Sequence, residues 1–202
     1  MPAPQYGTTL RNALLQAYID TIGTAPTLSL RTGAPPATPA SADSGTQLVA
    51  ITLPTTWMAA PSAGASAMTG TWQGTSSATG TIGHYRITKS GTCHEQGTVT
   101  QAFSLTTTAL TAVNSNVLTF ASTTGVTVGQ AVVGTGIPTG ATVLAVTSTT
   151  VSLSAVSTAG VANSTSIYFG DTSGGLWANA VAIASVGTLV VVVKRTLTAP
   201  GA

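Results

Sequence analysis

Apolar positions recur along this chain at two periods, and the change between them divides it. Residues 8–23, TTLRNALLQAYIDTIG, carry Leu10, Leu14, Ala17, Tyr18 and Ile22 at helical spacing, with Arg11, Gln16 and Asp20 off that stripe. Thr8 or Thr9 is placed to cap the start, and Gly23 to end the helix. This predicts one helix that packs on a sheet. From residue 27 the period drops to two. TLSLRT at 27–32 sets Leu28 and Leu30 on one face, and QLVAITL at 47–53 reads as a buried strand. Between them, APPATPASADSG at 34–45 is a Pro-rich, extended connector. PTTWMAAPSAGAS follows as a loop in which Trp57 plugs an edge of the core. AMTGTW at 67–72, GHYRIT at 83–88 and TCHEQGTVT at 92–100 read as three further strands, the last two joined by a tight turn at Ser90-Gly91.

The texture changes at 108–170. That stretch has no charged residue, and its short β segments are split by Gly turns every 8–12 residues: NVLTFA, VTVGQAVVG, ATVLAVTS, TVSLSA, SIYFG. It reads as a compact inserted module. QAFSLTT before it and DTSGGLWANAVAIA after it read as two halves of an interrupted host connection. GTLVVVVKRTLT at 187–198 closes the chain as a strand buried on both faces at its centre. The expected fold is mainly β: an antiparallel β-sandwich or barrel host domain over 1–107 and 171–202, one N-terminal α-helix, and a small all-β domain inserted at 108–170.

Composition agrees with this reading. Hydrophobic residues make up 43% and aromatics 5%, so aliphatic side chains must fill the core. Abundant Thr and Val favour strands, and 22 Gly and 10 Pro supply turns. Charge changes the picture more. Charged residues make up 5%, against about 25% in ordinary soluble domains. Charges keep free proteins soluble and guard sheet edges, so a chain without them is expected to be covered by copies of itself or by other proteins. The six Lys and Arg are scattered, without the basic stripe that follows a phosphate backbone, so no nucleic-acid partner is expected. The longest unbroken apolar run is Leu189 to Val193, far short of a membrane helix, and the N-terminal residues do not read as a signal peptide. Synthesis and assembly in a cytosol are expected. A single cysteine, Cys93, excludes an internal disulfide.

Candidate chemistry is sparse. Cys93, His94 and Glu95, with His84 on the paired strand, are the one group of metal-type ligands. On a regular strand Cys93 and Glu95 share a face and His94 takes the other, so the three do not converge. A polar hairpin at a subunit contact is the simpler reading, and no metal or cofactor is expected. The same alternation keeps His94 from activating Cys93. Asp20, Asp43, Glu95 and Asp171 are the only carboxylates, too scattered to frame a glycosidase cleft. Gly134 to Gly140 is Gly-rich but lacks the Lys and hydroxyl of a phosphate loop, so it reads as a turn. Trp57, Trp72 and Trp177 lie in separate segments and read as core or interface anchors rather than a sugar platform. No catalytic residue is expected.

LRNALLQAYIDTIG, followed by LSLRTGAPPATPASADSGTQLVAITL, resembles a family of tailed-bacteriophage structural proteins. In that family an "LRNxxLDAITxxI" helix leads to an "L-x-I-Y-D-G-T-x-P" strand and turn. An "LLAxLxL" strand follows, and a "V-x-V-x-S-x-T-L-T" strand closes the domain. The matching pieces here are Leu10–Gly23, Leu28–Pro36, Leu48–Leu53 and Val190–Thr198. Arg31-Thr32-Gly33 stand at the family's turn, without its acidic residue. GVTVGQAVVGTGIPTGATVLAVTSTTVSLSA at 125–155 is similar to a small β module found in phage virion proteins. The resemblance implies a virion component, with head decoration or cement proteins the best fit and neck, tail or fibre-base proteins the alternative. It implies the major capsid protein or other virion proteins as partners, and a homo-oligomer, with a trimer favoured. A host-surface binding module is the rival reading, weakened by an insert holding only Phe120, Tyr168 and Phe169 as aromatics. Interface candidates are Arg31 at the turn, Pro35 and Pro36 in a connector read as an arm to a neighbour, Trp57, and the hairpin histidines His84 and His94.

Overall fold

The computed structural model describes residues 5–170 and 175–200. The chain divides into two compact units, Met1–Thr100 with Gly174–Ala202, and Gln101–Ser173.

In the first unit, α1 (Thr8–Ile22) starts after Gly7 without a side-chain cap, so Thr8 and Thr9 lie inside the helix rather than before it. Gly23 ends it at a positive φ (80°) that favours glycine, its N–H donating to Ile19 O at 2.9 Å. The buried face matches the expected stripe at Tyr18 and Ile22 but not at Leu10, Leu14 and Ala17. Leu15 and Ile22 are buried, with Tyr18 and Ile19 packed beside them, while Leu10 and Leu14 are 50% and 43% exposed and Ala17 is exposed too. Two adjacent stripes of this helix both have helical spacing, and long-range contacts choose between them. Asn12 Oδ1 accepts from Gly64 N at 2.8 Å and Tyr18 bonds to Glu95, which rotates Leu10 and Leu14 outward.

Nine strands follow: β1 (Thr27–Thr32), β2 (Gln47–Thr52), β3 (Ala65–Ala67), β4 (Trp72–Thr75), β5 (Gly80–Lys89), β6 (Thr92–Gln101), β13 (Leu176–Ala178), β14 (Ala182–Ile183) and β15 (Leu189–Thr198). They form one curled sheet in the order β2-β1-β5-β6-β13-β15-β3, with β4 also on β15 and β14 on β5. The expected 67–72 strand is two, separated at Gly70 (φ 66°), and both parts pair with β15. β15 buries one face fully, at Val190, Val192 and Arg195, and leaves Val191 and Val193 half-buried; the other face is only partly covered. β5 and β6 form the predicted hairpin. Ser90 and Gly91 both take positive φ (51° and 81°), as a two-residue hairpin turn of this hand requires. Trp57 sits inside the core, not at its edge. It is 1% exposed, 6.0 Å from the Trp72 ring, and its Nε1 donates to Gly23 O at 2.9 Å.

The second unit holds β7 (Phe103–Thr106), β8 (Val117–Thr119), β9 (Ala131–Val133), β10 (Val143–Val146), β11 (Thr150–Leu153) and β12 (Ser166–Gly170). Two three-stranded sheets, β10-β11-β8 and β7-β12-β9, join through the bridges Thr107–Phe120 and Ala131–Thr142, which close a small barrel. Its core is Leu118, Phe120, Val132, Val143, Val151, Leu153, Ile167 and Phe169. Closure leaves few free edges, which is how a module without charge avoids pairing with its neighbours edge to edge. The module begins earlier than expected. Phe103–Thr106, assigned from sequence to the host, pairs with Ser166–Phe169, and Phe103 stacks 6.3 Å from Phe169. Asp171, expected just past the module's end, lies outside the described residues.

Candidate functional site

The β5–β6 hairpin carries polar clusters on both faces, separated by a register shift. Ile87 pairs with Glu95 but Thr88 pairs with Cys93, so His94 is an extra residue in a bulge. The bulge overturns the simple alternation expected here. Cys93 falls on the Arg86 face and Glu95 on the Tyr85 face.

Glu95 gathers three elements on its face. Tyr18 from α1 donates to Oε2, Tyr85 from β5 donates to Oε1 at 2.5 Å, and Arg195 from β15 forms an ion pair with Oε1. Arg195 is 5% exposed, and its guanidinium lies 5.6 Å from the centre of the Tyr85 ring. Gly97, opposite Tyr85, makes room for that ring; a Cβ there would lie 2.9 Å from it. Burial first, and then the Glu95 charge, push both tyrosines well above their ordinary value. This gives a signed expectation. In the unfolded chain these hydroxyls ionise near pH 10, whereas in the folded chain they stay protonated, so the unfolded state binds fewer protons above that point. Stability from this cluster should hold below pH 10 and fall above it, by up to about 1.4 kcal/mol per pH unit for each tyrosine. Urea unfolding between pH 9 and 11 measures the slope. A Tyr18→Phe, Tyr85→Phe chain with the same slope would refute the assignment.

The other face seats the connector. Arg86, 2% exposed, pairs through Nη1 with Asp43 at 2.8 Å. It donates from Nη2 to Pro39 O and Ser41 O at 2.6 and 3.0 Å, and from Nε to Cys93 Sγ at 3.2 Å. Arg31 pairs with Asp43 at 3.2 Å and donates to Ser44 O and Gly45 O at 2.8 and 3.0 Å. His84 Nδ1 donates to Gly33 O at 2.9 Å, and Gln96 Nε2 to Pro36 O at 2.5 Å. The 34–45 segment therefore folds back on its own sheet, which corrects the reading of it as an arm already extended to a neighbour.

The interface candidates separate accordingly. Trp57 and His84 are fully buried inside the chain and present no surface. Arg31 clamps the connector, Pro35 and Pro36 are half-buried within it, and His94 lines a shallow hollow with Ala17, Tyr18, Thr21 and Ile22. Trp177 is buried beneath the Lys194 ammonium, 4.3 Å from its ring centre, so no tryptophan offers a sugar platform. Gly134–Gly140 is the expected turn between β9 and β10, with Gly136 and Gly140 at positive φ. Cys93 donates to Glu95 O and accepts from Arg86, the contacts of a structural thiol. Among the described residues no three His, Cys, Asp or Glu side chains gather. Sequence reasoning missed the Glu95 cluster. Its trace was there: Glu95 is the one charged residue of β6 and Arg195 follows the apolar run of β15, and a charge in a buried strand needs a partner.

Comparison with family models, curated protein sequences and solved structures returns no match.

Proposed function

We propose that this chain is a non-enzymatic structural protein of a bacteriophage particle, a head decoration or cement protein that binds the shell and its own copies. One observation carries the reading: α1 turns Leu10 and Leu14 to the outside of a chain with hardly any charge to keep such a surface apart. The motif resemblance of α1, β1, β2 and β15 supplies the virion context. The mechanism is added contact area. Burying apolar surface contributes about 25 cal/mol per Å² before association costs, and a stable contact covers about 800 Å² per partner. Each copy would hold shell subunits together against pressure from packaged DNA, with the major capsid protein as partner and the head surface as location.

Light scattering after size exclusion tests the assembly. A mass that is a multiple of 19.9 kDa is expected, shifting toward the single chain in Leu10→Glu, Leu14→Glu. A sharp single-chain peak at high concentration would remove the basis of the proposal. Copy number in purified particles then decides the place: hundreds for shell decoration, about six or twelve for the cyclic symmetry of a neck or tail.

A further inference from the structure

The connector between β1 and β2 is held in an unusual way for this chain. None of residues 34–45 is buried, so the segment contributes nothing to the apolar core. What fixes it is a row of polar bonds to its backbone oxygens, from Arg31, Arg86 and Gln96, closed by the Asp43 carboxylate. We infer that residues 34–45 form a detachable arm, latched by Asp43 between Arg31 and Arg86, which opens as one unit while the rest of the fold stays closed.

Three features support this. Opening the arm exposes little new apolar area, so the hydrophobic effect that holds the core does not hold the arm. The latch converges on one carboxylate, and Asp43 is 53% exposed, so water and salt reach the clamp. The arm is also bounded by Gly33 and Gly45, both left-handed (φ 73° and 65°), which act as pivots at its two ends. Between the arm and the hairpin lies a groove of about 900 Å³, lined by Arg86, Thr88 and Cys93 as well as by the arm. Arg86 Nε donates to Cys93 and Nη2 to the arm, while Nη1 is tied only by its ion pair with Asp43; the groove marks loose seating of the arm. Release would uncover two guanidinium groups without their carboxylate, a face suited to an acidic side chain of a neighbour. The release does not depend on the proposed virion role, although that role would use it.

Elastase, which cuts after small residues, tests the inference on the full chain, because the arm holds Ala37, Ala40 and Ala42. When the arm opens and closes faster than it is cut, cleavage follows the open population, and Asp43→Asn should raise cleavage within 37–42 by at least about tenfold. Cleavage elsewhere and the near-ultraviolet signal of the buried tryptophans should not change. Equal arm cleavage in the two chains overturns the inference, as does acceleration shared by sites across the chain, which would mean global loosening. Should Asp43→Asn fail to fold, Gln96→Ala, which removes only the tie to Pro36, must still speed arm cleavage severalfold. An unchanged rate there overturns the inference as well.

Discussion

Glu95→Gln should destabilise the first unit by about 3–5 kcal/mol, because it strands a buried guanidinium. Arg195 is 5% exposed and Glu95 supplies its carboxylate, while the same carboxylate accepts from Tyr18 and Tyr85. The amide keeps the size and one acceptor oxygen but cannot balance the charge, and it aims a donor at groups that already donate. A domain is stable by about 5–15 kcal/mol in total, so the loss is a large part of the whole. Urea denaturation monitored by tryptophan fluorescence measures it, since Trp57 and Trp72 lie in the core that unfolds. The cause is checked by a second substitution. Arg195→Met in the Glu95→Gln background removes the stranded charge and should recover part of the loss, giving a favourable coupling in a double-mutant cycle. A Glu95→Gln chain within about 0.5 kcal/mol of the parent would mean that Arg195 reaches water and that the cluster is not closed.

That cluster changes what the low charge means. Arg31, Asp43, Arg86, Glu95 and Arg195 all sit in ion pairs, and Arg86 and Arg195 are buried. Half of the few charges thus serve to fix the β5–β6 hairpin to α1, to β15 and to the connector. They do little to keep molecules apart. The surface is therefore poorer in free charge than the composition suggests, and in the second unit barrel closure and Thr and Ser hydroxyls take over the task.

Local rules made much of this legible. β1 and β2 fall where period-two alternation puts them, and the Ser90-Gly91 turn follows from a backbone requirement that few residue pairs meet. The presence of a helix was equally clear. Which face it buries was legible only in part: Tyr18 and Ile22 of the expected stripe pack on the core, but Leu15 lies there in place of Leu10, Leu14 and Ala17, and that choice rests on Asn12 with Gly64 and Tyr18 with Glu95. Partners that far apart in sequence leave no local trace. The polar faces were hidden for a related reason. A bulge at His94 reverses the side on which Cys93 lies, and nothing in TCHEQG announces it. Arg195 and Glu95 meet across a hundred residues, through the order of strands in the sheet.

The module boundary was misplaced for the same kind of reason, and correcting it leads to the second large effect. Phe103–Thr106 looks like a continuation of β6, yet its pairing partner is Ser166–Phe169. Excising 108–170 would remove β12 and leave β7 behind with two open edges, stripping Leu105 and the already exposed Phe103 of the barrel residues they pack against. That chain should aggregate on expression. Excising 101–173 instead removes the barrel whole. β6 and β13, the host strands on either side of the excision, are neighbours in the sheet, so a short Gly-Ser linker can join them. The rejoined chain should stay soluble and unfold cooperatively, with the Glu95 cluster intact and the loss of stability above pH 10 that Tyr18 and Tyr85 give retained. The isolated 101–173 segment should fold alone, since its core of Leu118, Phe120, Val151, Ile167 and Phe169 is complete within it. Circular dichroism and thermal melts of the three chains decide between the boundaries. If the 108–170 deletion folds as well as the 101–173 deletion, β7 belongs to the host and the barrel does not need it.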